Sequence, residues 1–104
     1  MQDKFLSAIG LAKRAGQAVF GTEMVQNTVR SGKAKLIIVA SDVSDNTRKE
    51  LTDSAAFYKT ECILSDYTMA EISSASGLLR STSSVAITDA NLTILVKNSI
   101  NTKM

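Results

Sequence analysis

The 104-residue chain has no histidine, no proline and no tryptophan, one cysteine, and only three Phe and two Tyr. Several functions are excluded by what is missing. Without histidine there is no Ser/His/Asp arrangement, and the commonest general base and the usual zinc ligand are gone. A lone Cys62 rules out an internal disulfide and any CxxC metal or redox pair. Set between Glu61 and Ile63-Leu64, it reads as a buried strand position rather than a reactive thiol. With so few aromatics, the core has to be built from Ile, Leu, Val, Ala and Met. The longest apolar run, Leu36-Ile37-Ile38-Val39-Ala40, is too short to span a bilayer. No apolar signal block precedes it, so a cytoplasmic protein with no membrane partner is expected.

What is present is ordinary in amount but uneven in placement. A hydrophobic content of 44% and a charged content of 21% suit one globular domain over residues 1–104. Six of the twelve basic residues, Lys4, Lys13, Arg14, Arg30, Lys33 and Lys35, fall within the first 35 positions, against Asp3 and Glu23 alone. The rest of the chain is mildly acidic. A basic N-terminal third of this kind points to an anionic partner.

Helical and strand patterns alternate along the whole length. Asp3 is placed to cap a helix running to about Ala15, with Phe5, Ile9 and Ala12 on one face. Gly16 stops it, and Ala18-Val19-Phe20 reads as a short strand. Thr22 is the expected cap of a second helix, with Met24, Val25, Thr28 and Val29 inward and Gly32 closing it. Leu36 to Ala40 reads as a strand covered on both faces. Ser41 to Thr47 then leads into a third helix, with Leu51, Ala55 and Tyr58 inward. Glu61 to Leu64 is a third strand, and Thr68-Met69-Ala70-Glu71 is a capping-box pattern opening a fourth helix that ends at Gly77. Ser84 to Thr88 is an interior strand, Asp89 the next cap, and Asn91 to Ser99 a last helix with Leu92, Leu95 and Val96 inward. Asn101 to Met104 is expected to fray. This alternation predicts an α/β fold, a three-layer α/β/α sandwich around a small sheet.

Catalytic chemistry has little to work with. Asp42 and Asp45, just past a buried strand, are the best carboxylate pair, but Asp at such a junction is also what a helix N-terminus needs. Gly32-Lys33 fails as a phosphate loop, since Ala34 follows and Asn27 stands where the first Gly belongs. No catalytic residue, metal or cofactor is expected. A binding surface remains. Gly21-Thr22 leads into a helix N-terminus, where free N–H groups favour a phosphate oxygen. Glu23, Gln26, Asn27 and Arg30 then share that helix's outward face. Lys13, Arg14, Lys33 and Lys35 are candidate phosphate contacts, and Leu78-Leu79-Arg80 places two large apolar residues in a polar loop, where unstacked bases would pack.

The order and spacing of these segments resemble the kink-turn-binding ribosomal proteins of the L-seven-Ae and L-thirty-e type, in particular their small bacterial YlxQ-like branch. The resemblance rests on Gly10-Leu11-Ala12-Lys13-Arg14-Ala15-Gly16, Gly21-Thr22-Glu23, Gly32-Lys33-Ala34-Lys35-Leu36 and Ala40 to Thr47. Glu71-Ile72, Gly77 and Val85-Ala86-Ile87-Thr88-Asp89 complete it. It implies a four-stranded mixed sheet. It also implies that the second helix enters the groove of a kinked RNA through Gly21, Thr22, Glu23, Met24 and Asn27, while Leu78, Leu79 and Arg80 pack on unstacked nucleotides. Where strong kink-turn binders carry Asn, Glu and Lys, this chain has Glu23, Met24 and Asn27, and Arg80 is the compensating cation. Ser73 and Ser76 stand where the family often has Gly and an apolar residue.

The expectation is therefore a non-enzymatic, monomeric binder of structured RNA, a kink-turn or ribosomal RNA, as a ribosomal or ribosome-associated protein. The alternative is a protein-interaction module on the same fold, in which Met24 and Leu78-Leu79 form an exposed apolar patch.

Overall fold

The computed structural model describes residues 4–100. Its elements are α1 (Lys4–Arg14), β1 (Ala18–Phe20), α2 (Thr22–Arg30), β2 (Leu36–Val39), α3 (Asp45–Phe57), β3 (Glu61–Leu64), α4 (Met69–Ala75), β4 (Ser84–Ile87) and α5 (Ala90–Ile100). The strands form one sheet in the order β1-β4-β2-β3, with β2 parallel to β3 and β4 antiparallel to both β1 and β2. It is the four-stranded mixed sheet that the resemblance implies. α1 packs on α4 and α5, and α2 on α3 over the other face, giving the three layers expected from the alternation of elements.

The two interior strands, β2 and β4, are buried at every position, as their unbroken runs of apolar and small residues require. Burial of each large side chain among Leu36, Ile37, Ile38 and Val39 contributes roughly 1.5–3 kcal/mol. Phe5 and Tyr67 stack with centroids 4.8 Å apart, tying α1 to the segment before α4. Gly10 belongs to the same contact: a Cβ there would meet the Ala75 carbonyl oxygen at 2.9 Å. The capping box predicted at Thr68 and Glu71 is present, and the Asp89 carboxylate accepts from the Leu92 N–H at 2.9 Å.

Four facings and one cap differ from expectation. Met24 is half-exposed, because α2 is only nine residues long and buries just Val25 and Val29. Tyr58 is exposed: it is the C-cap of α3, at φ −95° and ψ 6°, so the helical phase that would turn it inward has already ended. Leu95 is exposed because α5 turns Thr93, Val96 and Ser99 inward. With Leu11 it flanks a shallow groove between α1 and α5, an apolar helix face that the sequence pattern had not disclosed. Cys62 is half-buried rather than buried, since β3 is an edge strand, and burial still pushes its thiol pKa up. The cap of α2 is Gly21, not Thr22: the Val25 N–H bonds to the Gly21 carbonyl, which makes Thr22 the first helical residue. Asp3 and Asn101 to Met104 lie outside the described residues.

The sheet has two distinct ends. β2 and β3 finish, and β4 starts, at what is here termed the upper end; Leu36, Glu61 and Ile87 mark the lower end. At about 3.3 Å per residue the four-residue strands separate them by roughly 13 Å. α2, α3 and α4 begin at the upper end, whereas α1, α2 and α3 run towards the lower one.

Candidate nucleic-acid interface

At the upper end, β1 passes into α2 through Gly21, whose φ of 96° and ψ of 150° only glycine adopts without strain. Its N–H donates to the Ser84 carbonyl across the β1–β4 pair at 3.1 Å. No side chain among the described residues caps the helix, so the N–H groups of Thr22, Glu23 and Met24 point out of its first turn without an acceptor among them. Together with the helix dipole they favour an anionic oxygen at this spot.

The Thr22 hydroxyl is 2.7 Å from the Ser83 hydroxyl. That contact brings the loop before β4 to the start of α2. Arg80 is three residues from Ser83, within about 10 Å of chain. Leu79 is fully exposed at 102% and Arg80 is exposed, while Leu78 is half-buried. The Ser73 hydroxyl shares its one proton between the carbonyls of Arg80 and Leu78, and the Leu78 N–H donates to the Ser73 carbonyl at 3.0 Å, so the loop is held from behind by α4. Ser76 is buried and its hydroxyl has no partner among the described residues. Neither Ser83 nor Ser73 is a predicted site residue. The available signal for Ser83 was the hydroxyl run Ser81-Thr82-Ser83-Ser84 beside the expected strand.

Down the outward face of α2, Arg30 donates to the Asn27 side-chain oxygen at 3.1 Å and reaches that of Gln26 at 3.5 Å. The fork fixes both amides and leaves their NH2 groups to donate outward. Glu23 is exposed on the same face.

The remaining predicted cations are not gathered there. Lys13 and Arg14 close α1 at the lower end of the sheet, and Lys33 and Lys35 lie there between α2 and β2. The Lys35 N–H bonds the Ile87 carbonyl at 2.7 Å, which fixes that position. At the upper end, by contrast, Glu23, Asp42, Asp45, Asp66 and Glu71 stand against Lys4, Arg48 and Arg80. Much of this sorting follows helix direction. Glu23, Asp45 and Glu71 occupy first turns, and Lys13, Arg14 and Arg30 occupy last turns, each complementing a dipole.

Asp42 and Asp45 do not act as a pair. Asp42 accepts from the Met69 N–H at 2.8 Å, fixing the start of α4, while Asp45 is bridged to Arg48 at 3.0 Å. Both carboxylates therefore have structural work. No helix among the described residues is long and apolar enough to cross a membrane.

Comparison with known proteins bears on the chain's family and fold. An Enterococcus faecium protein named RNA-binding protein YlxQ is 39% identical over 61 residues, 59% of each chain. Its Bacillus subtilis namesake is 41% identical over 51 residues, 49% of this chain and 51% of that one. The matches thus span little more than half the length of these curated relatives. The large ribosomal subunit protein eL30 of Dictyostelium discoideum is 30% identical over 86% of this chain and 80% of its own. Among solved structures, a Bacillus halodurans protein of unknown function superposes with a TM-score of 0.88 at 28% identity, covering 96% of this chain and 99% of that one. The Giardia lamblia 15.5kD RNA binding protein shares the fold, with a TM-score of 0.76 at 17% identity over 94% of this chain and 82% of its own. The family model of the ribosomal protein L7Ae/L30e/S12e/Gadd45 family matches residues 3–96, and with the sheet order and the α2 junction just described, the chain belongs to that family.

Proposed function

We propose that the protein binds structured RNA without catalysing a reaction on it, and that its partner is a kink-turn or a ribosomal RNA. The observation that carries this reading is the Thr22–Ser83 contact, which joins an uncapped helix N-terminus to a loop bearing exposed Leu79 and Arg80. Free N–H groups at the start of α2 would take a phosphate oxygen, and Leu79 and Arg80 would pack on bases turned out of the stack. Glu23, Gln26 and Asn27 would meet base edges along α2, a length of about 14 Å. Lys33 and Lys35, beyond its far end, would reach phosphates of the adjoining stem, with Lys13 and Arg14 farther round the lower end. The names of the two bacterial relatives support RNA as the ligand.

One observation favours a second reading. Met24 is half-exposed and Leu79 fully so, and apolar residues flanking a junction rich in carboxylates also suit a protein partner. Salt separates the two, because phosphate contacts weaken steeply with ionic strength and apolar contacts do not.

The test is a fluorescence titration of labelled kink-turn RNA against a straight duplex of equal length, at two salt concentrations. Tight, salt-sensitive binding to the kinked RNA alone is expected. Equal binding to both would reduce the site to a nonselective basic surface, and binding to neither would leave the protein-partner reading.

A further inference from the structure

The lower end of the sheet holds a feature that helix dipoles do not account for. α3 ends there in two adjacent aromatic residues, Phe57 and Tyr58, whose rings meet edge to face with centroids 4.9 Å apart at 76°. Phe57 is 78% exposed and Tyr58 42% exposed. The next residue, Lys59, has φ 57°, the one described non-glycine residue in the left-handed region.

Lys59 completes a turn that recurs through the fold. α1, α2 and α4 each close with paired backbone bonds around a glycine of positive φ, namely Gly16, Gly32 and Gly77. α3 closes with the same two bonds, Lys59 N–H to Ala56 and Thr60 N–H to Ala55, yet carries a lysine where the others carry glycine. A side chain kept in a conformation that disfavours it points to a use for that side chain.

Neighbours supply the rest. Leu36 is in register with Glu61, so the turn through Lys59 and the loop through Lys33 and Lys35 emerge side by side. None of these three ammonium groups is in an ion pair among the described residues. The nearby carboxylates are engaged, Glu61 with Lys97 at 2.8 Å and Asp89 with the Leu92 N–H.

We propose that this exposed Phe57–Tyr58 ring pair, set among Lys33, Lys35 and Lys59, is a second RNA-contact surface that takes an unpaired, single-stranded segment. Lysines draw in any polyanion, but open ring faces fit only bases free of their own stack, which excludes a regular duplex. The choice of RNA among polyanions rests on the function proposed above; the position of the surface does not. It lies at the opposite end of the sheet from the α2 N-terminus and shares Lys33 and Lys35 with the stem contacts proposed above, so a folded RNA element held at one end would continue into a single strand at the other.

The test is fluorescence anisotropy with a short labelled uridine-rich single strand, with kink-turn RNA and with phosphatidylserine vesicles as separate arms. Replacing both rings, Phe57→Ala with Tyr58→Ala, is expected to weaken single-strand binding about tenfold or more and to leave kink-turn binding unchanged. Lys59→Gly should weaken it about fivefold at 0.1 M salt, through loss of roughly one released counterion, while raising the melting temperature. An affinity for the single strand that survives loss of both rings would overturn the proposal, as would vesicle binding without RNA binding. Single-strand binding that depends on the rings, in a protein that ignores the kink-turn, would support this surface and remove the upper site instead.

Discussion

The two ends of the sheet solve opposite electrostatic problems with the same helices. The upper end collects helix starts, an uncapped α2 and five carboxylates; the lower end collects helix finishes, lysines and two open aromatic rings. Because three helices run the same way, side chains that complement dipoles necessarily segregate by sign. An RNA that meets all of this positive charge has to extend from one end of the sheet to the other. The upper end has shape and free N–H donors among several carboxylates, whereas the lower end has the lysines, and the helix N-terminus there, that of α5, already holds the Asp89 carboxylate. On the proposed function, selectivity and attraction would thus be separated by roughly 13 Å.

The comparison assumes a common scaffold, and the largest expected effect tests that. Ile38→Ala, in the fully buried β2, should destabilise the protein by about 2–5 kcal/mol. In urea unfolding the two ends should be lost in a single transition; separate transitions would break the comparison at its base. Gly21→Ala comes next. A Cβ there has open space, so its cost is backbone strain alone, about 1–3 kcal/mol, read by thermal melting, and only upper-end binding should suffer. Lys59→Gly acts on the opposite end with the opposite sign, stabilising by about 1 kcal/mol as left-handed strain is relieved. Glu23→Gln should have the smallest effect on stability, a loss of about 0.3–1 kcal/mol from the first turn of α2. It should also tighten RNA binding several-fold and steepen its salt dependence; unchanged affinity would show that the upper carboxylates do not oppose the ligand.

Much of the fold was legible because periodicity and caps agreed. The run at Leu36, the capping box at Thr68 and the cap at Asp89 each named their element from local chemistry, and every predicted helix and strand is present. Facing failed where local phase stopped being the rule: at Tyr58, which has left the helix, at Met24, on a helix too short to bury it, and at Leu95, displaced by small polar residues. The candidate site was only half legible. Gly21 and Leu78-Leu79-Arg80 are marked by their residue types, but that this loop meets the start of α2 depends on the pairing of β1 with β4, which periodicity does not encode. Phe57 escaped notice for a related reason, since nothing local says that an aromatic at a helix end stays uncovered.

The hydroxyl of Ser73 carries a consequence for the rate of recognition. By bonding the carbonyls of Leu78 and Arg80, it orders the loop during folding, so the entropy of fixing that segment is lost before any partner arrives. On the proposed function, a partner would then meet a preformed shape and dock nearly as a rigid body. Removing that one oxygen would return the ordering cost to the encounter itself, slowing association even where every contact in the final complex was preserved.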